Sequence, residues 1–105
     1  MKNTRLEQLR QFIADQPDDP FLKYALATEH LKAGDQTASL TYFKELLEEH
    51  PDYLGTYYHL GKLYEELGRF PDAIETYDKG IVVAMEQKNH RTRSELEAAR
   101  NLLQE

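Results

Sequence analysis

The sequence predicts an all-α fold in which one helical hairpin is copied and stacked. Three observations carry that expectation. The chain matches itself at a spacing of 34 residues: Pro17-Asp18 recurs as Pro51-Asp52, Tyr24 as Tyr58, Leu26 as Leu60 and Gly34 as Gly68. Apolar residues fall at helical spacing throughout, with no useful run of strand-like alternation. The prolines, together with Gly34 and Gly68, occur where helices need to stop and start. A repeat of this length signals one supersecondary unit, each copy burying an apolar face against the next.

Taken in order, Asn3 to Asp15 carries Leu6, Leu9, Phe12 and Ile13 on one stripe, so residues 3–15 form an N-terminal helix. Pro17 and Pro20 end it, and Asp18-Asp19-Pro20 supplies capping carboxylates and a first-turn proline. The first repeat, 17–50, has a helix from about Pro20 to Ala33, stopped by Gly34 in a left-handed conformation. Asp35 then opens a helix to about Glu49, with Leu40, Phe43, Leu46 and Leu47 along one side. His50-Pro51-Asp52 is the next break, because a proline turns the residue before it away from helix.

The second repeat, 51–84, follows the same plan. A helix is expected from about Tyr53 to Leu67, with Gly68 as its stop and a partner starting near Phe70. Pro71 sits in that partner's first turn, where its missing N–H costs nothing. Met85 stands where a proline would be expected, so this helix continues to about Lys88. Asn89-His90 makes a break. Thr92 to Gln104 then forms an amphipathic helix using Leu96, Ala99, Leu102 and Leu103, within a C-terminal capping region 85–105.

At 105 residues the chain reads as one domain, 1–105, with 40% apolar residues for a core and 30% charged residues for the exterior. The net charge of −6 argues against nucleic acid, which needs clustered Lys and Arg. Acids outnumber bases by seven to three over 17–50 and by six to three over 51–84, so the repeat body favours a neutral or basic partner. The absence of cysteine excludes disulfides and thiolate chemistry. No segment has the apolar length of a membrane span or of a secretory leader, and the expected setting is cytoplasmic.

The second repeat reads Tyr57-x2-Leu60-Gly61-x2-Tyr64, then Gly68-Arg69-Phe70, then Ala73-x3-Tyr77-x2-Gly80. This resembles the tetratricopeptide repeat, whose signature is W-x2-L-G-x2-Y followed by A-x3-F. Tyr57 takes the place of Trp and Tyr77 that of Phe. The first repeat keeps Leu26-Ala27, Gly34, Phe43 and Pro51, but has Lys23, His30 and Ser39 where the pattern has a large aromatic, Tyr and Ala. The whole resembles small bacterial proteins with two such repeats between flanking helices. The resemblance implies a superhelical array of helix pairs, with helices at both ends as caps. Small residues at 27, 39, 61 and 73 then allow close helix approach, and Phe43 and Tyr77 fill the space within each pair.

The resemblance also implies a concave groove lined by the first helix of each repeat, holding a peptide segment or a partner helix. Phe21, Tyr24, Thr28 and Leu31 would face it from the first repeat. Gly55, Tyr58, Lys62 and Glu65 would face it from the second, with His59 at its border. The i, i+3, i+7 spacing puts each set on one helix face, which would stand Tyr24 beside Tyr58. Rigid rings with a polar tip suit peptide anchoring. The alternative is that these rings pack against the C-terminal helix. The basic clamp with which some relatives hold a C-terminal carboxylate is not matched, since only Lys62 is cationic among the corresponding positions.

No catalytic or metal site is expected, and no cofactor. The histidines at 30, 50, 59 and 90 lack i, i+4 pairing. His30 reads as a core substitute for Tyr and His50 as a helix-end residue. His59 could tune binding near neutral pH. Glu48-Glu49 and Glu65-Glu66 are helical neighbours that point ~100° apart, which is not an acid–base pair. The sequence therefore predicts a non-catalytic protein-interaction module, monomeric or weakly dimeric, with no nucleic-acid or membrane partner. Its alternative is a self-associating structural protein that pairs through Phe21, Tyr53 or the last helix.

Overall fold

The computed structural model describes residues 4–104, which form α1 (Thr4–Asp15), α2 (Pro20–Lys32), α3 (Gln36–Glu49), α4 (Gly55–Glu66), α5 (Phe70–Glu86) and α6 (His90–Leu103). There is no strand among the described residues. The all-α helical-repeat expectation holds. Two compact units result, Met1–His50 and Pro51–Glu105. None of the described helices is long and apolar enough to cross a membrane.

In the first unit α2 pairs with α3, and α1 packs on α2. Asp19 caps α2 by accepting from the Phe21 N–H at 3.0 Å, and Asp35 caps α3 by accepting from the Ala38 N–H at 3.0 Å. Each bond satisfies an amide that the first helical turn leaves unpaired. Leu9, Leu26, Ala27, Phe43 and Leu46 make the apolar core. Phe12, expected on the buried stripe of α1, is instead 49% exposed. Only Leu9 of that stripe is fully buried, because one partner helix covers a narrower arc than the stripe spans. Asn3, the expected first residue of α1, lies outside the described residues.

The second unit places α5 between α4 and α6, with pairings to both. Its core is larger: Tyr57, Leu60, Leu63, Tyr64, Ala73, Tyr77, Ala84, Leu96 and Ala99 are all buried. Two glycines make it possible. A Cβ on Gly61 would lie 2.2 Å from Cε1 of Tyr77, so the Tyr77 ring rests on bare α4 backbone. A Cβ on Gly80 would lie 2.6 Å from the Tyr57 Cβ and 2.9 Å from Leu96 Cδ1, so α4 and α6 both close on α5 there.

Several boundaries shift. α4 begins at Gly55 rather than Tyr53. Tyr53 and Leu54 stay in the turn that follows Pro51, their carbonyls accepting from the Thr56 and Tyr57 amides at 3.4 and 3.3 Å. α5 ends at Glu86, before Lys88. α6 begins at His90 rather than Thr92, because Asn89 caps it by accepting from the Thr92 N–H at 3.1 Å. Its Leu102, expected to be buried, is 65% exposed, since the packed face runs through Leu96, Ala99 and Leu103.

One turn motif closes three helices. After α2 the amides of Ala33, Gly34 and Asp35 bond to the carbonyls of Glu29, Leu31 and His30. After α4 the same three bonds run from Leu67, Gly68 and Arg69 to Leu63, Glu65 and Tyr64. After α5 they run from Gln87, Lys88 and Asn89 to Val83, Met85 and Ala84. The central residue is left-handed each time: Gly34 at φ 83°, Gly68 at 73° and Lys88 at 57°.

Candidate peptide-binding faces

In α2, Phe21 is 53% exposed and its ring lies 6.5 Å from that of Tyr24. Tyr24 is half-buried and meets Phe43 edge-on at 6.3 Å, which ties the outer ring to the core of its own hairpin. Burial pushes the Tyr24 phenol above its usual range. Thr28 turns its hydroxyl to the Ala25 carbonyl, donating at 2.9 Å. Leu31 is half-buried further along the helix. Phe21 and Tyr24 therefore form a ring pair, while the Thr28 hydroxyl is engaged by its own helix.

In α4, Gly55 is the exposed first residue. Tyr58 and His59 are half-buried, with ring centroids 5.8 Å apart and planes nearly perpendicular. The Lys62 ammonium stands 5.5 Å from the centre of the Tyr58 ring, within cation–π range. Burial holds the His59 imidazole below its ordinary value, so it is neutral at neutral pH. Lys62 also lies 3.6 Å from the Glu65 carboxylate. That carboxylate accepts the hydroxyl of the buried Tyr77, so Glu65 is engaged from the core side. Burial first, then the bond to Glu65, pushes the Tyr77 phenol far above its usual range. Tyr58, His59, Lys62 and Glu65 are thus brought together, and Gly55 stands apart at the helix start.

α6 packs on α5, its Leu96 against Gly80, rather than across α4. Rings with polar tips beside a single ammonium offer hydrogen bonds, stacking and cation–π contact to peptide groups. No group of three or more His, Asp and Glu able to hold a metal ion occurs among the described residues.

Three of the interactions that the sequence does not announce lie at repeat positions. Lys23 pairs with Glu49 and lies 3.7 Å from Glu45. His30 stacks on Tyr42 at 5.4 Å with 12° between planes. The third is the Tyr77–Glu65 bond. Its signal was present: relative to the first repeat, Phe43 becomes Tyr77 while Leu31 becomes Glu65, so an added hydroxyl arrives with an added acceptor.

Comparison with known proteins agrees with this architecture. The family model for the tetratricopeptide repeat matches residues 24–86. The crystal structure of a tetratricopeptide repeat domain protein from Salinibacter ruber is 53% identical, covers 82% of this chain and 96% of its own, and has a TM-score of 0.78. A solution structure of a tetratricopeptide repeat domain protein from the same organism is 54% identical, with 83% and 88% covered and a TM-score of 0.80. A protein from Bordetella parapertussis shares the fold at 21% identity, with 98% and 89% covered and a TM-score of 0.81.

Proposed function

The chain belongs to the tetratricopeptide repeat family, and we propose that it is a non-catalytic module holding a peptide segment or partner helix on the tyrosine-bearing face of α4 or on that of α2. Repeats of this family generally serve protein–protein interaction. One observation supports the finer reading most: Tyr58 on α4, edge-on to His59 and beneath the Lys62 ammonium, is held in place yet only half-buried. A ring fixed beforehand loses little freedom when a ligand docks on it. The Phe21–Tyr24 pair on α2 supplies a second aromatic face. We further propose a cytoplasmic setting, with the chain monomeric or weakly dimeric.

A peptide-display selection tests the reading. Peptides enriched on the wild-type chain are titrated against Tyr58→Ala and Tyr24→Ala, with helicity and melting checked in parallel. Hot-spot behaviour means at least tenfold weaker binding to one of the two folded variants. Undiminished binding to a folded double variant rejects these faces as the site. A second reading, self-association, is favoured by the exposure of Phe21 and of Leu102 on α6. Sedimentation across a wide concentration range decides it, since a strict monomer removes that reading.

A further inference from the structure

A second concavity lies in the Pro51–Glu105 unit, built from residues other than those of the α4 tyrosine face. It is a hollow of about 290 Å³ lined by Pro51, Asp52, Val83, Glu86 and Gln87. Its two walls are the turn before α4 and the C-terminal end of α5. One hydrogen bond fastens them together: Gln87 Nε2 donates to the Asp52 carbonyl at 2.6 Å. The buried Tyr57 of α4 holds the turn itself by donating its hydroxyl to the Pro51 carbonyl. The hollow is therefore formed before any ligand arrives.

Its surface is of two kinds. Pro51 and the half-buried Val83 give apolar wall, and one ridge round α5 stand Val82 and Met85, 54% and 52% exposed. Val82 precedes Glu86 by one helical turn, so the apolar ridge borders the hollow directly. The charges are all of one sign. Asp52 and Glu86 are both exposed, and neither has an ion-pair partner among the described residues. The carbonyl end of α5 adds negative potential, and its last turn holds no basic residue to offset it. The field reaches inward: after burial itself, the Asp52 and Glu86 carboxylates are what push the Tyr57 phenol upward.

We propose that this hollow and the neighbouring Val82–Met85 ridge form a docking surface for a partner segment that presents an arginine or lysine beside apolar residues. The cationic head sits between Asp52 and Glu86, its methylene stem lies along Val83 and Pro51, and the adjoining apolar side chain covers the ridge. Charge complementarity selects this occupant, because an acidic segment would meet two unneutralised carboxylates and a helix C-terminus. The net charge of −6 works in the same direction at longer range.

The test is an amide-resolved NMR titration of the whole chain with the capped peptide acetyl-Leu-Arg-Leu-Arg-amide. Its twin, with citrulline for both arginines, keeps the shape and removes the charge. The expected result is saturable shifts at residues 51–52 and 86–87. Binding should be at least tenfold weaker for the citrulline peptide and for the Asp52→Asn, Glu86→Gln double variant. It should also weaken as salt rises from about 0.05 to about 0.3 M. Equal binding of the two peptides overturns the proposal, as does full binding to the folded double variant. Matching shifts from magnesium chloride alone would mean simple counter-ion attraction and also overturn it. Shifts confined to Tyr58, His59 and Lys62 would move the peptide to the α4 face and leave the hollow without a role.

Discussion

Where the first hairpin has Ala27 and Leu31 on α2 and Phe43 on α3, the second has Gly61 and Glu65 on α4 and Tyr77 on α5. Both rings are fully buried at the same position of their hairpins. The tyrosine needs more room and an acceptor, and it receives both: bare backbone at Gly61 and the carboxylate of Glu65. The phenylalanine has Ala27 and Leu31 at those places. The three positions change together, as expected of groups in contact. A second set differs in the same way. Lys23 reaches Glu49 and Glu45 from the position where Tyr57 donates to the Pro51 carbonyl. His30 stacks on Tyr42 where Tyr64 lies under Arg69, 4.8 Å from its guanidinium carbon. The first repeat holds its hairpin with polar substitutes, and the second holds it with rings.

The strongest way to break the comparison is Gly61→Ala. With a Tyr77 ring atom 2.2 Å from the new Cβ, overpacking should cost about 1–3 kcal/mol in denaturant unfolding. Moving the whole first-repeat set into the second hairpin, as Gly61→Ala, Glu65→Leu and Tyr77→Phe together, should recover most of that loss. Tyr77→Phe alone should cost about 1–2 kcal/mol, because it strips the donor from a half-buried carboxylate. Strict additivity of the three single changes would show that the sets are not coupled.

A smaller change tests the first hairpin. Ser39 is buried with its hydroxyl unbonded, whereas the second repeat has Ala73 there. Ser39→Ala should raise stability by about 1 kcal/mol, since it removes an unsatisfied hydroxyl from the core. The turns offer a contrast of similar size. Lys88 takes the left-handed conformation that Gly34 and Gly68 adopt without strain. Lys88→Gly should stabilise by up to about 1 kcal/mol, and Gly34→Ala and Gly68→Ala should cost about as much.

The smallest effect concerns pH. Burial lowers the folded-state value of His59, so on acidification the unfolded chain takes up the proton first. Stability is then lost as pH falls from above the ordinary imidazole value of about 6.5 towards the lower folded one, and levels off below it. His59→Gln should flatten that part of a melting-temperature profile.

The periodic anchors were legible because they answer to local rules: glycines at left-handed positions, prolines in first turns, apolar residues at helical spacing. Helix starts were less so. Asn89 looked like a break and is a cap, a distinction that depends on where its side chain turns. Tyr53 looked helical and belongs to the turn after Pro51. The faces with Tyr24 and Tyr58 are what the resemblance implies once the 34-residue offset aligns the repeats, but the engagement of Glu65 is not. It depends on Tyr77, twelve residues on, across a contact that no single-helix pattern encodes. The hollow beside Asp52 was equally invisible, since its walls are joined by a hydrogen bond between Gln87 and Asp52, 35 residues apart.

α5 enters and leaves by the same three-bond turn, and it has a helix packed on each side. No other segment of its unit is enclosed in this way. Exchanging its amide hydrogens for deuterium requires both of these packed helices to part from it. Its central residues, from Ala73 to Ala84, should therefore be the last of the unit to take up label, and their rate should report the opening of the unit as a whole.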